Sequence, residues 1–140
     1  MRHILLIVLS LLLLIPSGWA QDETVAKPKI NKKNLVVKEW NTNGKGVAQT
    51  LDHITTYSPE GKKIDEIEYD SDGQQKWRKR YEWGENGKIA RELVYDERNR
   101  LVNYKKFEYN EFGKKKAQYT YNVKGKLIST KLFEYITEDA

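Results

Sequence analysis

An aromatic residue followed four positions later by glycine recurs along this chain: Trp40 to Gly44, Tyr57 to Gly61, Tyr69 to Gly73, Trp83 to Gly87, Tyr109 to Gly113 and Tyr121 to Gly125. A further copy pairs Tyr95 with Asn99, and asparagine is the other residue type that readily accepts a positive φ. Every copy therefore asks for a left-handed backbone position at one offset after a ring, as a short β-hairpin loop with a glycine bulge requires. Gly44, Gly61, Gly73, Gly87, Asn99, Gly113 and Gly125 are the expected turn-forming residues. The first loop position is Asn41, Ser58, Asp70, Asp96, Asn110 or Asn122, short polar side chains that can bond back onto their own turn, and Gly84 is the deviation.

Between the turns lie runs rich in β-branched and aromatic residues: about Leu35–Trp40, Val47–Tyr57, Lys62–Tyr69, Gln75–Trp83, Lys88–Tyr95, Arg100–Tyr109, Lys114–Tyr121 and Lys126–Tyr135. The spacing predicts an all-β fold, an antiparallel meander of about eight strands in a single sheet over residues 35–136. From Tyr57 onward the turn rings fall at alternating intervals of 12 and 14 residues, so the unit is two strands of unequal length. A difference of two preserves the face, so the rings share one side of the sheet. Ile67, Trp77, Tyr81, Leu93, Phe107 and Tyr119 then join them, while Glu66, Glu68, Lys76, Arg78, Arg80, Glu92, Lys106 and Lys116 take the opposite, wet face. The same inequality displaces the register in one sense, which predicts a strongly coiled sheet approaching a barrel. Gly46 breaks the pattern of the first hairpin and marks a bulge.

The N-terminus has the layout of a secretory signal over residues 1–20: Arg2 and His3, the apolar run Ile4 to Ile15, then small residues at Gly18 and Ala20. The run is shorter than the roughly 20 residues a spanning helix needs, so no membrane span is expected after cleavage. The expected destination is periplasmic or extracellular. Residues 21–34 read as a flexible leader and 137–140 as a frayed tail. There is no cysteine, so no disulfide or thiolate metal site supports the fold. Loss of the signal removes Arg2 alone from the charged set, leaving 24 Lys and Arg against 20 Asp and Glu. That modest excess of about +4 favours anionic partners without suiting nucleic acid.

The turns Tyr69-Asp70-Ser71-Asp72-Gly73, Tyr109-Asn110-Glu111-Phe112-Gly113 and Tyr121-Asn122-Val123-Lys124-Gly125 resemble those of the RHS or YD-repeat family of secreted and cell-surface proteins. The resemblance spans about Tyr57 to Tyr135 and implies a β-sheet strip spiralling around a hollow. Large members of that family enclose a toxic C-terminal domain or act in adhesion. Trp83-Gly84-Glu85-Asn86-Gly87-Lys88 also resembles the MORN-like repeats of small bacterial proteins.

Candidate chemistry is sparse. His53 beside Asp52 is the one histidine beyond the signal, with no serine or cysteine constellation around it. The carboxylates Asp65, Glu66 and Glu68 cluster, but strand carboxylates beside Lys and Arg are ordinarily cross-strand partners. No metal-ligand spacing or cofactor-binding fingerprint is present. The expectation is a non-catalytic module without metal or cofactor. Its candidate ligand site is the basic strand residues Lys76, Arg78 and Arg80, joined by Lys106 and Lys116, facing an anionic glycan or envelope polymer. The alternative is a structural or protective protein that associates with another polypeptide, or with its own copy, through an apolar face; a hydrolase is the third reading.

Overall fold

The computed structural model describes residues 26–42 and 44–138. The expected export signal, the start of the leader and the last two residues of the tail lie outside the described residues. Eight strands succeed one another: β1 (Val36–Thr42), β2 (Ala48–Tyr57), β3 (Lys63–Tyr69), β4 (Gln75–Trp83), β5 (Ile89–Tyr95), β6 (Leu101–Tyr109), β7 (Lys115–Asn122) and β8 (Leu127–Leu132). They form one antiparallel sheet in sequence order. Just before β1 the chain bends at Asn34, φ 54°, and Asn34 N–H donates to the Ser58 carbonyl at 3.0 Å, tying the end of the leader to the β2–β3 turn.

The turns match the expectation from sequence closely. Asp70 Oδ1 accepts the backbone N–H of Asp72 and of Gln74, both at 2.9 Å. Asp96, Asn110 and Asn122 repeat the arrangement, and Ser58 does so through its hydroxyl. In the turn that begins with Gly84, Asn86 accepts from Lys88 N–H instead, so a side chain two places on supplies one of the missing bonds. Asn99 adopts φ 59°, as its place in the series demands. The first hairpin departs: it has a left-handed residue at Gly46, φ 76°. Asn41, expected in the loop, extends β1 and donates to Asp52 Oδ1 at 3.3 Å.

The expectation of one apolar and one wet face is overturned. Beside each turn bulge, every hairpin from β2 to β8 carries another register shift next to its ring, as between Glu68 and Tyr69. Glu68 pairs with Trp77 and Tyr69 with Gln75, leaving Lys76 as an extra residue. One extra residue flips the parity of the rest of its strand. Ile67 accordingly lies opposite Arg78, and Asp65 opposite Arg80, while Trp77 shares a face with Glu68. With a flip at every hairpin, the rings alternate: Tyr69, Tyr95 and Tyr121 fall on one side, and Tyr57, Trp83 and Tyr109 on the other.

Neither face is therefore apolar enough to form a core. Among the described residues Ala117 is the one apolar side chain that is fully buried, and β2 to β7 are mostly half-buried. The sheet does not close and is not strongly curled: β1 and β8 stand at opposite edges and touch only their own neighbours. The expected stagger is present, since Asp65, Leu93 and Tyr121 lie on one cross-strand line 28 residues apart while the sequence repeats every 26. A closed barrel must fill its interior with side chains. Here either interior would hold charges, Asp65, Arg78 and Arg80 on one face or Glu66, Lys79 and Glu92 on the other, which explains an open sheet.

Cohesion comes from the pairs that this arrangement creates. The β3–β4 ladder ends at the pair Asp65 and Arg80, and beyond it Trp83 Nε1–H donates to the Lys63 carbonyl at 2.8 Å. Cations lie over the rings: Lys63 over Tyr81, Lys62 over Trp83, Lys79 over Trp77 and Lys115 over Phe107, at 4.6–5.1 Å from the centroids. Such contacts are worth about 0.5–1 kcal/mol where exposed, so a sheet without a core depends on many of them.

Candidate ligand-binding face

On the face shared by Ile67, Leu93 and Tyr104, the inner strands bring together Arg78, Arg80, Arg91 and Lys106 with Asp65 and Glu82. This is the arginine face. Arg78 grips Asp65 through Nε, at 3.0 Å to Oδ2 and 3.2 Å to Oδ1, and through Nη2 at 2.8 Å to Oδ2. The guanidinium also lies 6.0 Å from the centre of the Tyr95 ring. The Asp65 hydrogen bonds, outweighing burial, raise the pKa of Arg78 above its ordinary value and keep it a fixed cation. Arg80 approaches the same carboxylate at only 3.7 Å and is 57% exposed. One carboxylate thus serves two guanidiniums, and Arg80 holds the weaker share.

Beside Arg80 a shallow cavity of about 260 Å³ is lined by Ile64, Tyr81, Glu82, Leu93 and Tyr95. Glu82 on its rim is held by Arg91, Nε at 2.7 Å and Nη2 at 2.8 Å, and those bonds lower its pKa against burial. Arg91 lies over Tyr104, which stacks on Tyr121 with centroids 5.1 Å apart and planes 12° from parallel. Lys106 covers the far ring, Tyr121, at 5.5 Å. The result is a run of alternating cations and phenol rings on β4 to β7, open to solvent.

Of the five basic residues singled out from sequence, the structure gathers three. Arg78, Arg80 and Lys106 share the arginine face. Lys76, the extra residue of its bulge, bonds Glu68 at 2.7 Å, a residue that pairs with Trp77 and His53 on the reverse face. Lys116 is likewise a bulge residue, exposed between Lys115 and Ala117. Arg91 and the rings of Tyr104 and Tyr121 were missed. The sequence pattern puts Tyr121 with Trp77 and Tyr81, and only the bulge count moves that ring beside the arginines.

The reverse face is built around Glu66. It accepts from the Tyr81 hydroxyl, and Lys63 Nζ and His53 Nε2 lie 3.1 Å and 3.5 Å from its Oε1. Burial works to raise its pKa, but the bonds from Tyr81 and Lys63 and the Lys63 charge prevail and lower it. Tyr81 is shifted the other way, raised by burial and by its bond to the Glu66 carboxylate. His53 packs edge-on against Trp77 at 5.8 Å. A carboxylate so committed is held ionised, the opposite of what a general acid needs. Among the described residues no group of three His, Cys, Asp or Glu side chains is placed to hold a metal ion.

No family model matches the chain, and no curated protein matches it. Among solved structures it is similar to a crystal structure of a protein of unknown function from Bacteroides fragilis NCTC 9343, at 14% identity and a TM-score of 0.25. The match covers 71% of this chain and 93% of that one.

Proposed function

We propose that this chain is a non-catalytic, exported repeat module of the RHS/YD-like kind, and that its arginine face binds an anionic glycan. The observation that carries the reading is Arg80: a guanidinium more than half exposed, only loosely engaged by Asp65, at the mouth of a cavity whose walls include Tyr95 and Leu93. A planar guanidinium offers paired donors to a carboxylate or sulfate group. An adjacent ring and leucine offer an apolar surface to the hydrophobic face of a sugar. Arg78 belongs to the support, since it is spent on Asp65. Lys106, two strands away, extends positive charge along the path that a polymer would take.

The test is titration of the exported protein with a sulfated dextran and with neutral dextran, at low and at physiological ionic strength. Binding to the sulfated polymer that weakens with salt and falls on Arg80→Ala is expected, with no response to the neutral one. Equal binding by Arg80→Ala and the parent chain would remove the proposal.

A further inference from the structure

Among the described residues no strand pairs with the outer edge of β1 or of β8, and all seven residues of β1 and all six of β8 are exposed. Sheet proteins ordinarily guard such edges with several charges, proline or a covering loop. β8, Leu-Ile-Ser-Thr-Lys-Leu, has the single charge of Lys131, and Leu132 is 77% exposed. At the other edge Trp40 is 51% exposed.

We propose that β8 of one copy pairs antiparallel with β1 of the next, with Lys131 opposite Glu39, so that copies join head to tail into one continuing sheet. Three features of the edges agree on this pairing. The first is direction: β1 runs as β3, β5 and β7 do, so a second copy's β1 stands to β8 as the next strand of the meander. The second is hydrogen-bond phase. Phe133 N–H donates inward to the Lys116 carbonyl, so Ser129 and Lys131 also face inward, and Thr130 and Leu132 present their groups outward. Tyr57 N–H takes the Leu35 carbonyl, so Val37 and Glu39 face inward, and Val36, Lys38 and Trp40 outward. Outward residues meet when Leu132 lies opposite Lys38 and Thr130 opposite Trp40. Lys131 and Glu39 then form the pair between them, without hydrogen bonds of its own, where side chains come closest.

The third feature is the face. Lys131 pairs with Gln118, which pairs with Phe107, while Glu39 pairs with His53; both charges lie on the reverse face. The arginine face therefore continues unbroken from one copy to the next. Among the described residues neither Glu39 nor Lys131 makes an ion pair within the chain. Moving the register by two residues in either sense would set Lys131 against Val37 or Asn41, so charge selects Glu39. On the arginine side the same register lays Leu132 and Thr130 beside the exposed Trp40. Because the two edges differ, the contact is heterologous and does not close on itself at two copies.

Sedimentation velocity of the exported protein over a wide concentration range tests this. The expected result is a series of species that keeps growing past the dimer as concentration rises. Lys131→Glu and Glu39→Lys each set like charges opposite one another and should weaken association roughly fivefold. Both sites are exposed, and far-UV circular dichroism would verify that each variant is folded. An equimolar mixture of the two single variants should recover the series, because each copy's edge then meets its opposite charge on the other variant. A monomer at all concentrations, a dimer that grows no further, or association indifferent to the swaps and to their mixture would each overturn the proposal.

Discussion

The Tyr109 hydroxyl donates to the carbonyl of Ile89 at 2.7 Å, joining the last residue of β6 to the first of β5. Trp83 makes the equivalent bond to Lys63, and Tyr135 to Lys115 at 2.8 Å, each ring reaching 20 residues back. In each case the strand ladder has already ended, at Arg91 and Lys106 in the β5–β6 pair, so the ring supplies the donor that the backbone no longer offers. The recurring aromatic is thus two different devices. At Trp83, Tyr109 and Tyr135 it is a hydrogen-bond donor. At Tyr95 and Tyr121 it is a platform beneath a cation.

Tyr109→Phe should therefore destabilise the fold by about 0.5–1.5 kcal/mol, the net worth of an ordinary hydrogen bond. Tyr95→Phe keeps the ring beneath Arg78 and should stay within about 0.5 kcal/mol of the parent. Equilibrium urea unfolding of both variants measures the difference, and equal effects would show that the two ring classes are not distinct.

The turn chemistry and the limits of the inner strands were legible in the sequence because they are local. A left-handed backbone at Asn99 and a carboxylate at Asp70 bonding its own loop depend on a handful of consecutive residues. The pairing of faces was not legible. It depends on whether one residue, such as Lys76, is skipped by the partner strand, and nothing in the composition around Lys76 distinguishes a bulged lysine from a paired one. That one-residue ambiguity recurs at every hairpin, and it separated Tyr121 from the arginines it accompanies. The candidate site was thus half visible: Arg78, Arg80 and Lys106 as charge, but neither the rings beside them nor the Asp65 that divides their roles.

Asn99 offers a local test of the turn series. Asn99→Gly should be tolerated, since glycine takes φ near 59° without a Cβ clash. Asn99→Val should cost about 1–2 kcal/mol, because a β-branched residue is forced into the left-handed region. Thermal unfolding of the pair ranks them, and the reverse order would contradict a turn set by backbone conformation.

Acid should loosen the reverse face at Glu66. Its pKa in the folded chain lies below the ordinary carboxylate value, so its contribution to stability is complete above that ordinary value and is lost as pH falls through the folded one. Protonation leaves Lys63 without its carboxylate partner. Glu66→Gln should lower stability near neutral pH and flatten the fall in stability on the acid side. Urea unfolding midpoints measured from neutral pH down through the carboxylate range would reveal both effects, and an unchanged acid slope in Glu66→Gln would refute the assignment.

Arg78 and Arg80 lie on the same face and contact the same carboxylate, yet they should separate cleanly by experiment. Arg78 makes the close bonds to Asp65, and its loss leaves a half-buried carboxylate with only the 3.7 Å approach of Arg80. Arg78→Ala should cost on the order of 1 kcal/mol, discounted because the pair is partly exposed. Arg80→Ala should change stability little, since its contact is long and solvated, and should carry the loss of glycan binding. Calorimetric binding and urea unfolding of both variants therefore give opposite rankings. If Arg78→Ala were the one that abolished binding while leaving stability intact, the division of labour around Asp65 would be reversed, and the cavity beside Arg80 would not be the ligand's place.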